Sequence, residues 1–167
     1  MNGYSDRMMA ETDPGKAQDK PEAISGIRVL EYCPGHFGGM VTASILGEFG
    51  ADVIKVEPPG GDPARTYTPE GIAIGGTGLL FLSEARNRRF ATLSLEAEEG
   101  RNVFRRMAKR ADVIVTSESA ARMDEFGIGY ASLSNQNPGM IFLALSTYGS
   151  FGPDAGRKVK DSDILCQ

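Results

Sequence analysis

Cysteine and histidine are scarce in this sequence, which holds two cysteines, Cys33 and Cys166, and a single histidine, His36. The cysteines stand far apart and form no CxxC pair, which argues against a disulfide framework or a zinc site and points to a reducing compartment. One histidine without a cysteine–carboxylate cluster makes no metal centre, and no nucleophile-elbow motif supports a Ser/His/Asp triad. Positive charge is not in excess either. The formal net charge is −4, so no basic surface points to nucleic acid or an anionic membrane. Apolar runs fall well short of the ~20 residues that span a bilayer. Met1–Glu22 is polar, mixed in charge and without an apolar h-region, so it reads as part of a disordered leader over residues 1–24 and not as a signal peptide. These absences point to a cytoplasmic protein that uses no metal, nucleic acid or membrane.

What is present suits one α/β domain over residues 25–167, with 41% hydrophobic and 24% charged residues in a chain of 167. Ile27–Tyr32 reads as a first strand, followed by the loop Cys33–Gly39. Met40, Ala43, Leu46 and Phe49 are spaced to share one helix face, and Gly50 is placed to end that helix. Asp52–Val56 is nearly continuous in apolar character, as buried parallel strands are. Strand, helix and strand together make a βαβ unit with a right-handed crossover. Pro58–Gly78 reads as a long Gly/Pro-rich loop, a feature that usually binds something. Leu79–Leu82 is a short apolar element, and Arg86-Asn87-Arg88-Arg89 leads into a third strand, Phe90–Leu95.

The next helix, Ala97–Arg110, has Glu96, Glu98 and Glu99 at its start and Arg105, Arg106, Lys109 and Arg110 at its end, which complements the helix dipole. Val103, Phe104, Met107 and Ala108 form its buried stripe. A fourth strand (Asp112–Thr116), a helical stretch (Ser119–Phe126) and a fifth strand (Met140–Leu145) complete the pattern. Strands alternating with helices predict a Rossmann-like parallel sheet of at least five strands flanked by helices.

In open α/β sheets, ligands bind where strands end and helix N-termini begin. Gly35, Gly38 and Gly39 lie at such a point, with Glu57 ending the second strand. This is almost a dinucleotide fingerprint, but Cys33 stands where its first glycine belongs; the same glycines also serve to let helix and strand pack closely. The run Arg86–Arg89 suits phosphates through guanidinium contacts, or is a solvated basic surface. Asp161 and Asp163 suit helix caps, before an apolar run that has no room to continue. A chain ending there reads as truncated.

Several of these segments, taken together, resemble the family III CoA-transferases, the group of formyl-CoA:oxalate and carnitine CoA-transferases (CaiB/BaiF). The resemblance rests on Gly26–Glu31, Gly50–Arg65, Arg86–Arg89, Glu99–Arg101, Ala111–Val115, Phe126–Tyr130, Asn137-Pro138 and Tyr148–Pro153, in the family's order and at nearly its spacing. It implies part of the family's large domain. It also implies CoA transfer from an acyl-CoA to a carboxylic acid through an aspartyl-CoA intermediate, with CoA as substrate and no metal.

The family's nucleophile lies just past the glycine–proline loop with a glutamine four residues later. Asp163 fits through Ser162 before it and Gln167 after it, and Asp161 is the competitor. The resemblance directs Arg88 at CoA phosphates, Pro58 and its neighbours at the adenine end, and Ser117 and the Gly38-Gly39 loop at the rest of CoA. The sequence departs from the family at Ser117–Ala120, where Asn-Phe-Arg-Pro is common, and at Gly38–Met40, where Ala-Gly-Pro is usual. Family chains are longer and form interlocked homodimers, so the resemblance implies that this chain alone is inactive. Two alternatives stay open. One is an α-methylacyl-CoA racemase, which typically places histidine where Ser162 stands. The other is a non-catalytic CoA-binding or scaffold domain.

Overall fold

The computed structural model describes residues 22–68 and 71–155. Five parallel strands form the central sheet: β1 (Arg28–Tyr32), β2 (Asp52–Glu57), β5 (Arg89–Thr92), β6 (Val113–Thr116) and β7 (Ile141–Ala144), in the order β5-β2-β1-β6-β7. Between β2 and β5 lie a 3-10 turn (Pro63–Thr66), the two-residue strands β3 (Ala73–Ile74) and β4 (Thr77–Gly78), and helix α2 (Leu79–Glu84). The remaining helices are α1 (Phe37–Glu48), α3 (Glu98–Ala108), α4 (Ala120–Glu125) and α5 (Tyr130–Ser134).

The side-chain period of two sorts each strand between two cores. Leu30, Tyr32, Val56 and Ile114 face α3, where they meet Phe104 and Ala108, with Met123 and Leu133 of α4 and α5 in the same cluster. Val29, Cys33, Val53 and Val115 face the opposite way and meet Ala43 of α1. A third cluster joins Met40 of α1 to Ala64, Phe81 and Ala85, so α2 lies on the α1 side. The expected doubly covered parallel sheet is therefore present, with helices on both faces.

Gly50 ends α1 as its position in the sequence predicts. Its φ is +102°, and the N–H groups of Gly50 and Ala51 donate to Gly47 and Leu46 carbonyls at 3.0 Å each. That pair of bonds is a Schellman motif. The buried face of α1 differs from the expected stripe. Gly39, Met40, Ala43, Ser44 and Gly47 are buried, whereas Phe49 is 55% exposed. Small residues win this face because the helix lies close to the sheet. A Cβ on Gly39 would stand 2.4 Å from Cys33 Cβ, so this glycine sets how closely α1 approaches β1.

The long segment after β2 is more structured than its composition predicts. Gly75 and Gly76 both have positive φ, as a type I′ hairpin turn requires, and they join Ile74 to Thr77 in an antiparallel pair. α5 is likewise an element that the sequence pattern does not signal.

Candidate functional site

The strand order runs outward from β1 to β2 and β5, then returns to β6 and β7. The sheet therefore has a topological switch point between β1 and β6, and ligands of open α/β sheets bind outside the carboxyl ends there. Three segments meet at this end. The first is the loop Cys33–His36 after β1, the second the segment from Pro58 after β2, and the third Ser117 and Glu118 after β6.

The loop after β1 is held from within. His36 caps α1, with Nδ1 accepting the Gly39 N–H at 3.0 Å, and the Gly35 N–H donates to Asp62 at 2.9 Å. Ser117 N–H donates to the Tyr32 carbonyl at 3.3 Å, tying the end of β6 to the end of β1. Thr116 Oγ1 accepts the Glu118 N–H at 3.1 Å, and Ser119 Oγ accepts the Arg122 N–H at 3.2 Å to cap α4. Arg122 in turn grips Glu96 at 2.6 and 2.8 Å, which joins α4 to the segment after β5.

Two groups facing this end resist ionisation. Burial, reinforced by Glu118 and Glu96, pushes the Tyr32 phenol up to about 12. Burial and then Glu31 push the Cys33 thiol up to about 12 from 9.0. A native Cys33 is therefore a neutral thiol and a poor nucleophile. The unfolded thiol ionises near 9, so stability is lost as pH rises above about 9, at about 1.4 kcal/mol per pH unit until the folded group titrates. In a Cys166→Ser variant, an aromatic disulfide reagent at pH 8 should titrate no thiol in the native protein and one in denaturant. Rapid native labelling would refute the enclosed thiol.

Beneath these segments lies a cluster of buried charges. Glu31 and Lys55 are register partners on β1 and β2, and the Lys55 ammonium meets Glu31 at 2.8 Å and Asp62 at 2.7 Å. Arg88 pairs with the other oxygen of Glu31. Side chains of all four are fully enclosed. At the edge, Arg65 forks onto Glu57 at 2.9 and 2.8 Å, with its guanidinium 4.2 Å from the Phe81 ring centroid. For Lys55, burial pulls the ammonium pKa down, but Glu31 and Asp62 outweigh it and the net direction is upward.

The predicted site residues fall into three groups. Gly38, Gly39 and Ser117 sit at the switch point, and Pro58 stands at the neighbouring end of β2. Arg88 faces inward: its donors go to Glu31, to the Met40 carbonyl at 2.9 Å and to the Glu84 carbonyl. The donors that the sequence reading directs at phosphate are thus directed at the protein's own core. Asp163, with its competitor Asp161, lies outside the described residues. Sequence reasoning missed Glu31, Lys55 and Asp62. The available signal was a lysine inside an apolar buried strand, level with a glutamate on the first strand.

A cavity of about 740 Å³ opens elsewhere, lined by Arg28, Ile54, Arg106, Met107 and Arg110 among others. It lies at the amino ends of β1 and β2, away from the switch point, whereas the strand-end rule directs ligands to the carboxyl ends. Among the described residues, no group of three or more metal-ligating side chains comes together, and no helix is long and apolar enough to cross a membrane.

This is a Rossmann-like α/β domain whose strand order places a topological switch point between β1 and β6. Comparison with known proteins makes the class specific. The CoA-transferase family III pattern matches residues 24–167, and the chain belongs to that family. It is 41% identical over 142 residues to a succinyl-CoA–L-malate CoA-transferase alpha subunit of Chloroflexus aurantiacus, covering 84% of this chain and 32% of that protein. It is 34% identical over 157 residues to an acetyl-CoA:oxalate CoA-transferase of Acetobacter aceti, covering 93% of this chain and 39% of that one. Among solved structures, a CAIB/BAIF family protein from Brucella suis superposes with a TM-score of 0.76 at 34% identity, over 83% of this chain and 37% of that one. The chain thus spans about a third of the length of the curated relatives it matches.

Proposed function

We propose that this chain carries the CoA-binding crevice and the nucleophile of an enzyme that moves CoA from an acyl-CoA thioester to a carboxylic acid. The observation that carries the reading is the meeting of Gly38, Gly39 and Ser117 at the switch point, with Pro58 beside them, in a chain of a family whose relatives are named CoA-transferases. In this reading Pro58 and its neighbours take the adenine end. The start of α1, where His36 already caps the Gly39 N–H, turns the positive end of the helix dipole toward the anionic part of CoA. Arg88 stands behind the site and holds Glu31, so it acts on CoA through the frame and not by contact. The protein works in the cytoplasm, and a second subunit completes the site as an interlocked homodimer.

Asp163 supplies the chemistry. Its carboxylate attacks the thioester carbonyl, the carbon–sulfur bond breaks, and CoA leaves as a thiolate, giving a mixed anhydride. The thiolate attacks the aspartyl carbonyl and releases the donor acid as carboxylate. The acceptor carboxylate then attacks the aspartyl-CoA thioester and expels the thiolate. That thiolate takes the acyl group from the new anhydride, which restores Asp163. Every step exchanges one acyl derivative for another, so thioester energy is retained as long as water is kept out.

The test has two arms. Isothermal titration of CoA into the 167-residue chain should show saturable binding. In a chain of the relatives' length that carries residues 24–167, an acyl-CoA donor plus a carboxylate acceptor should yield the acceptor's thioester. Epimerisation of an α-methylacyl-CoA without transfer would replace this reading with a racemase, and absence of both CoA binding and transfer would overturn it.

A further inference from the structure

We propose that Lys55 is a positioning residue: from inside the sheet it fixes the segment Pro58–Thr66 against the loop after β1 and so sets the shape of the crevice. The observations are geometric. Lys55 is fully enclosed and bridges two carboxylates, Glu31 at 2.8 Å and Asp62 at 2.7 Å. Asp62 belongs to the segment after β2 and is itself buried. Its other oxygen accepts two backbone N–H groups, from Gly35 at 2.9 Å and from Ala64 at 2.8 Å. One carboxylate therefore joins three things: the lysine in β2, the loop after β1, and the first turn of the 3-10 helix that it caps.

Charge balance adds a second argument. Glu31 and Asp62 are matched by Lys55 and Arg88 through shared ion pairs, and the separate Glu57–Arg65 pair joins them where Glu57 accepts the Asp62 N–H at 3.3 Å. Buried ion pairs of this kind add little net stability compared with well-packed apolar residues, because desolvation offsets attraction. What such a cluster supplies is direction: a carboxylate held by an ammonium and two N–H groups has one low-energy position. The raised ammonium pKa of Lys55 means that this charge persists throughout the neutral range. The cluster also gives the Gly60-Gly61-Asp62-Pro63-Ala64-Arg65 motif a structural reason. Asp62 caps the turn that Pro63 starts, and Arg65 returns to Glu57 at the end of β2.

The functional part of the proposal rests on the reading that the crevice takes CoA; the structural part does not. The decisive variant is Lys55→Met combined with Asp62→Asn. It removes one positive and one negative charge, leaves the Glu31–Arg88 pair intact, and keeps an amide oxygen for the Gly35 and Ala64 N–H groups. Each single variant leaves a buried charge in excess and should be clearly less stable than the double variant.

Hydrogen exchange in the 167-residue chain is the readout that needs no ligand. In the double variant, the amides of Gly35, Gly61, residue 62, Ala64, Arg65 and Thr66 should exchange at least about tenfold faster, while those of β1 and β2 keep their wild-type protection. Unchanged protection at these amides would overturn the proposal whatever CoA does. Isothermal titration then reads the crevice: affinity for CoA should fall about tenfold even though the double variant recovers stability. If affinity recovers along with stability, Lys55 is structural and not positioning. If wild-type chain does not bind CoA, the functional reading fails while hydrogen exchange still decides the role of Lys55.

Discussion

Replacing Glu31 with alanine should cost about 3–5 kcal/mol of folding stability, the range for a buried ion pair that loses one partner. Glu31 faces two cations, Lys55 at 2.8 Å and Arg88, and all three side chains are fully enclosed. Its removal leaves Lys55 with Asp62 alone, whose other oxygen already accepts two N–H donors, and leaves Arg88 without a carboxylate partner. Arg88 would keep its carbonyl acceptors, Arg86, Met40 and Glu84, but carbonyl dipoles do not neutralise a guanidinium. Urea unfolding is the measurement, and the midpoint should fall while the slope stays constant. Asp52→Ala is the control. Asp52 also pairs with an arginine, Arg89, but their side chains are 47% and 64% exposed, and exposed pairs contribute about 0–1 kcal/mol. A loss below about 1 kcal/mol for Glu31→Ala would mean that water reaches the cluster.

The contrast between those two pairs also shows what the sequence could reveal. Arg86, Arg88 and Arg89 look alike in a basic run before a strand, and composition cannot say which faces the core. The backbone decides. Asn87 has a left-handed φ of 56° and ties its side chain to the Gly47 carbonyl at 2.8 Å. The chain turns at that point, sending Arg86 and Arg89 to exposed partners and Arg88 inward. A single non-glycine residue in the left-handed region is a tertiary decision, which local pattern does not encode.

By contrast, the charge gradient of α3 and the position of Gly50 act within one element, and both are readable from it. Glu98 bridges Arg101 and Arg105 at 2.8 Å each, and Phe104 and Ala108 are buried as the spacing predicts. The five-stranded sheet was legible for the same reason, since each strand is a short apolar run between turn signals. The Lys55 cluster was not, because it needs the register of β1 against β2 and the return of Asp62 across the loop.

The second large effect concerns Asp163, whose role is proposed from the Ser162-Asp163 pair and Gln167 four residues on. In a chain of the relatives' length, Asp163→Ala should lower transferase turnover by at least about 10³-fold, because in the proposed mechanism this residue forms the covalent bond. An aspartate is ionised throughout the neutral range, so its nucleophilicity needs no separate base. What limits it is water, which would capture the anhydride unless the crevice excludes it. The effect on CoA affinity should be small by comparison, because Gly38, Gly39, Ser117 and Pro58 lie on separate elements that the substitution leaves in place. A drop in kcat with little change in CoA affinity is therefore the signature expected. Asp161→Ala should keep most of the activity. The covalent step has its own readout: brief exposure to an acyl-CoA should load one CoA onto the wild-type chain through a hydroxylamine-sensitive bond, and none onto Asp163→Ala. If the adduct persists in Asp163→Ala and is lost in Asp161→Ala, the nucleophile is Asp161 and the assignment is wrong.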